Sequence, residues 1–110
     1  MMRTGMTDPP WLAEKDESVV RLVESLRLEL GDSLFQLVDH WDDQYAVGLA
    51  DPDEPSRLVY VLTDVEPVGL YGVDTEFPER PGLPASVRKM GYADLVRTVV
   101  GHLAARKPAR

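Results

Sequence analysis

The chain has 110 residues, of which 44% are hydrophobic and 28% charged, and its 19 acidic against 12 basic side chains give a net charge of −7. That length suits one domain spanning 1–110, and that apolar content excludes a disordered chain. Because there is no cysteine, disulfides, thiolate metal sites and a thiol nucleophile are excluded, while the acidity argues against nucleic acid and anionic lipid as partners.

The first residues, from Met1 to Asp8, contain no apolar stretch of signal-peptide length, and no later run approaches the length of a membrane span. The cytoplasm is therefore the expected location, with flexible ends at 1–8 and 106–110. Asp8-Pro9-Pro10 reads as a cap followed by proline in a first helical turn that carries Trp11 and Leu12. Val19, Leu22, Val23, Leu26 and Leu30 then recur at helical spacing, with Asp16 or Ser18 as a cap and Gly31 as a stop. These signals predict a helix from about Asp16 to Leu30.

After Asp32-Ser33 the pattern changes to short runs rich in β-branched and aromatic residues, bounded by turn formers. Strands are expected at 34–41, 44–50, 58–63 and 69–75, joined by Asp42-Asp43, by Asp51-Pro52-Asp53-Glu54-Pro55 and by the stretch around Val65-Glu66-Pro67-Val68. Connections this short fit hairpins. Prolines and glycines make most of 77–91 a loop, with 85–89 as a candidate fifth, edge strand. Tyr92, Leu95, Val96, Val99, Val100 and Leu103 then form the apolar stripe of a C-terminal helix. The expected fold class is α+β: an N-terminal helix, an antiparallel meander sheet of four or five strands, and a C-terminal amphipathic helix.

The strands are apolar at both odd and even positions, and such strands are normally covered on both faces. On the second strand Tyr45, Val47 and Leu49 oppose the small set Ala46, Gly48 and Ala50. Either the two helices lie on opposite faces, or they share one face and leave an aromatic-rich face for a partner subunit or ligand. Small residues permit close approach, which favours the alanine and glycine side if the helices share one.

Charge is segregated along the chain. Residues 39–79 hold Asp39, Asp42, Asp43, Asp51, Asp53, Glu54, Asp64, Glu66, Asp74, Glu76 and Glu79 against Arg57 alone, whereas from Arg80 onward seven basic residues stand against Asp94. Within Asp39-His40-Trp41-Asp42-Asp43, alternation separates Asp39 and Trp41 from His40, so the cluster does not converge on a metal or catalytic point. Asp42 and Asp43 serve as turn formers. The carboxylates at 51–54 lack the central glycine and late glutamate of a calcium loop and read as a solvated hairpin tip. His102 borders the apolar stripe near a helix end, and neither a triad spacing nor a phosphate-binding glycine pattern is present. No catalytic residue, metal site or cofactor is expected.

The reading ranked first is a protein-binding module whose acidic, aromatic-bearing sheet docks a basic protein surface through Asp39, Trp41, Asp42, Asp43, Tyr45, Tyr60, Tyr71 and Asp74. Acidic neutralisers of basic toxins, small adaptors and chaperones share this charge logic by class. A homodimer whose acidity only maintains solubility is the first alternative. The second is a small-molecule binder or enzyme using Asp39, His40, Asp74 or Tyr71 between helices and sheet.

Overall fold

The apolar spacing of Val19, Leu22, Val23 and Leu26 is realised in helix α1 (Glu17–Leu30), where all four side chains are buried. The computed structural model describes residues 9–39, 43–77 and 87–104. Asp16 caps α1 by accepting a hydrogen bond from the Ser18 N–H at 2.9 Å, and its own N–H donates to the Gln44 carbonyl, tying the helix start to the chain entering the sheet. Glu17 in the first turn and Arg27 in the last complement the helix dipole. Gly31 ends the helix with φ +89°, a left-handed conformation open to glycine, and its N–H donates to the Arg27 carbonyl. Ahead of α1, Pro10–Glu14 form a 3₁₀ turn that buries Leu12, while Asp8, expected to cap it, lies outside the described residues.

Five strands follow: β1 (Gln36–Val38), β2 (Ala46–Asp51), β3 (Glu54–Leu62), β4 (Tyr71–Glu76) and β5 (Arg88–Met90). They pair antiparallel in sequence order, so the sheet is a meander and β5 is the fifth, edge strand. Helix α2 (Tyr92–Val99) closes the fold and runs into a π-helical turn at Val100–Ala104. The architecture is α+β, as the sequence pattern requires.

Strand boundaries differ from expectation where side chains build the turns. The β2–β3 turn consumes only Pro52 and Asp53, because the Asp51 Oδ1 accepts the Asp53 N–H at 2.9 Å and closes it. β3 therefore begins at Glu54 and not at Leu58. The register steps from Asp51↔Glu54 to Ala50↔Leu58, leaving Pro55, Ser56 and Arg57 without partners on β2. Proline, which lacks an N–H, is tolerated in such an irregularity. β1 spans only Gln36–Val38, and Phe35 just before it is buried in the core. Of the candidate edge strand at 85–89, Arg88 and Lys89 are in β5, and residues 85 and 86 lie outside the described residues.

Both helices lie on one face of the sheet. Leu22, Val23 and Leu26 of α1 and Leu95, Val99 and Leu103 of the C-terminal segment share a single buried cluster with Val47, Leu49, Val59, Val61 and Val73. Burying each such side chain stabilises the fold by about 1.5–3 kcal/mol. The small set Ala46, Gly48 and Ala50 is on the opposite face, which corrects the expected placement. Large branched side chains give the helices more apolar area to cover than alanine and glycine can, and this outweighs the closeness that small residues allow. The second face is nonetheless buried at its centre: Ala46 and Ala50 are 0% exposed and Leu58 is 5% exposed. Among the described residues, Val65 and Val87 reach over it at Gly72, where a Cβ would meet the Cγ1 of each at 3.1 Å.

Candidate functional site

Register fixes which expected site residues meet. On the face away from the helices, Tyr60 of β3 stands opposite Asp74 of β4 on one side and Gly48 of β2 on the other. Tyr60 and Asp74 are both half-buried. Burial pushes the Tyr60 phenol above its ordinary range, and the negative charges of Asp43, Asp64 and Asp74 push it further. Burial also raises the Asp74 carboxyl, opposed by a hydrogen bond from the Thr75 backbone. The group is a protonated phenol, able to donate a hydrogen bond, under the field of three carboxylates. Among the described residues neither Asp64 nor Asp74 has an ion-pair partner.

The other expected residues divide. Asp43 builds a turn, its Oδ1 accepting the Tyr45 N–H at 2.9 Å. The Tyr45 carbonyl receives the Thr63 N–H at 2.9 Å and the Thr63 hydroxyl at 3.2 Å, so Tyr45 holds the start of β2 to the end of β3. Asp39 is already neutralised: Lys15 Nζ lies 2.9 Å from its Oδ1 and donates to the Asp43 carbonyl at 2.7 Å. The same ammonium lies 5.6 Å from the centre of the Trp11 ring. Tyr71 packs against the core on the helix-covered face, the face opposite Tyr60 and Asp74. Trp41 and Asp42, with His40, lie outside the described residues. A pocket built jointly from Tyr71 and Asp74 does not form, since β4 directs them to opposite faces.

A second polar group occupies the β2–β3 turn end of the sheet. Asp51 is 1% exposed, which corrects its reading as part of a solvated tip, and only Pro52 and Asp53 of that turn are exposed. Arg57 is 8% exposed, bonds Glu54 at 3.4 Å and places its guanidinium 5.7 Å from the centre of the Phe77 ring. His102, read as a boundary residue, is buried. Its Nε2 donates to the Glu76 carbonyl at 2.7 Å, and its ring meets Phe77 edge-on at 4.7 Å. These contacts fasten the C-terminal turn to β4. Arg57 carried a sequence signal, as the lone cation in the acidic stretch 39–79. Lys15 carried none, because its partners lie 24 and 28 residues away.

Among the described residues no three histidine or carboxylate side chains gather closely enough to hold a metal ion, and no helix is long and apolar enough to cross a membrane. No protein-family model matches the chain, and comparison with curated proteins and with solved structures found no match.

Proposed function

We propose that this chain is a protein-binding module that docks a basic segment of another protein on the face of the sheet bearing Tyr60. The observation that supports the reading is the half-buried Tyr60 phenol, opposite Asp74 and under the charges of Asp43, Asp64 and Asp74, of which Asp64 and Asp74 have no ion-pair partner among the described residues. An arginine or lysine arriving there meets opposite charge and an aromatic ring, which together provide steering and an anchor. Asp39 is not part of this surface in its ionic role, because Lys15 already satisfies it.

The test is fluorescence anisotropy with a labelled peptide of alternating arginine and valine, titrated with the full chain at low and high salt. Saturable binding that weakens with salt is expected, and Asp74→Asn and Tyr60→Ala should each weaken it further. Light scattering behind size exclusion should report a monomer at both salt concentrations. A salt-resistant dimer, or equal affinity of the wild type and Asp74→Asn, would sink the proposal.

A further inference from the structure

We infer that the open groove between β5 and α2 binds an acidic extended segment of another protein. The groove, of about 400 Å³, is lined by Arg88, Lys89 and Met90 of β5 and by Asp94, Arg97 and Thr98 of α2. Three of those six residues are cations and one is a carboxylate, in a chain whose net charge is −7. The acidic body therefore carries a local basic patch where the sheet ends.

Its cations are not equally engaged. Arg97 pairs with Asp94, and Lys89 Nζ donates to the Glu66 carbonyl at 2.7 Å. Arg88 is exposed and, alone among the described lysines and arginines, makes no hydrogen bond or ion pair. A guanidinium left without a carboxylate in a chain that contains 19 of them is open to an incoming one. Met90, half-buried against the core, supplies an apolar floor, and the Thr98 hydroxyl is held in place by the Asp94 carbonyl at 2.9 Å.

Strand order provides the means of attachment. β5 is last in the sheet, and among the described residues no strand pairs with its outer edge. An added strand would take up that backbone and present every second side chain toward the groove. Charge selects the occupant. A second copy pairing edge to edge would bring Arg88 and Lys89 of both chains together, and like charges across a strand pair oppose it. A segment with carboxylates at alternate positions meets Arg88 and Arg97 instead. Nucleic acid would meet the same cations but also the repulsion of the acidic body.

The experiment uses the full chain and a fluorescein-labelled peptide of alternating glutamate and valine, read by anisotropy. The wild type should bind it saturably, and the double variant Arg88→Glu, Arg97→Glu should bind at least about tenfold more weakly, a difference of about 1.4 kcal/mol. Asp74→Asn should leave this binding unchanged, which separates the groove from the Tyr60 surface and its basic ligand. Arg88→Ala serves as a milder second variant, with circular dichroism melting to verify that each variant is folded. Equal binding by the wild type and the charge-reversed variant, or no saturation of the wild type up to about 1 mM peptide, overturns the inference.

Discussion

Truncating Leu49 tests which face of the sheet bears the main core. Leu49 is 0% exposed at the middle of β2, with Leu37 and Val59 beside it in register and strands bonded on both sides. Neighbours held by two ladders cannot collapse into the space left by Leu49→Ala, so the cost falls in the upper part of the usual range, about 3–4 kcal/mol. For a domain of this size that corresponds to a fall in Tm of about 15 °C. The matched control is Leu62→Ala on β3, whose side chain is half-buried on the opposite face, with Ala46 and Gly72 as its cross-strand neighbours. It should cost less, about 1–2 kcal/mol, because part of its apolar surface stays in water. Urea melts followed by circular dichroism give both values, with unchanged slopes required for the comparison. If Leu62→Ala costs as much as Leu49→Ala, the helices do not define the principal core and the face assignment is wrong.

Three further outcomes are expected. The Asp16 carboxyl is held below its ordinary value, chiefly by its hydrogen bonds with Ser18. Its contribution is therefore present above about pH 4 and lost as pH falls through the lower folded value, so Asp16→Ala should lower Tm at pH 7 and show a shallower acid limb than the wild type. Asp74 behaves oppositely: burial raises its carboxyl, the folded state takes up that proton first, and its ionised form destabilises the fold at neutral pH. Asp74→Asn should thus raise Tm at pH 7 while weakening the basic peptide, and NMR titration of Asp74 should give a midpoint above 3.8; a variant less stable than the wild type would contradict the assignment. His102→Ala removes the donor to the Glu76 carbonyl and the edge contact with Phe77. It should cost about 1–3 kcal/mol, and His102→Leu, which keeps volume but not the donor, should recover only part of that.

Fold class was legible because each element carried its own period. The i, i+3, i+4 spacing from Val19 to Leu26, the stop at Gly31 and the stripe from Tyr92 to Leu103 all mark structure that local residues determine. Face assignment was not legible in the same way. With Val47 and Leu49 on one side and Ala46 and Ala50 on the other, both parities are apolar, so period 2 identified the strand without choosing its inward side. The site was partly legible for a related reason. Tyr60 and Asp74 share a face by register, but Tyr71, only three residues before Asp74, falls on the other face once β4 is aligned. Asp39 looked like part of a ligand surface until Lys15, distant in sequence, was brought against it by the fold. Nonlocal ion pairs of this kind leave no spacing in a single sequence.

The segregation of charge along the chain becomes a segregation in space through the meander. Sequence neighbours in a meander are also sheet neighbours, so the acidic middle forms β2 to β4 and the basic end begins at β5 and α2. Arg88 and Lys89 thus pair in register with Val73 and Gly72, one strand from the row that holds Asp74 and Tyr60. Mixing the two signs at that boundary would have let Arg88 neutralise Asp74 internally, yet among the described residues neither has an ion-pair partner. Their side chains leave the sheet on opposite faces, since Arg88 shares the parity of Val73 and Asp74 does not. Among the described residues, one strand pair therefore keeps a carboxylate without an ion-pair partner on one face and a guanidinium without one on the other. Two ligands of opposite charge could then be held by the same thin sheet without competing for a single side chain.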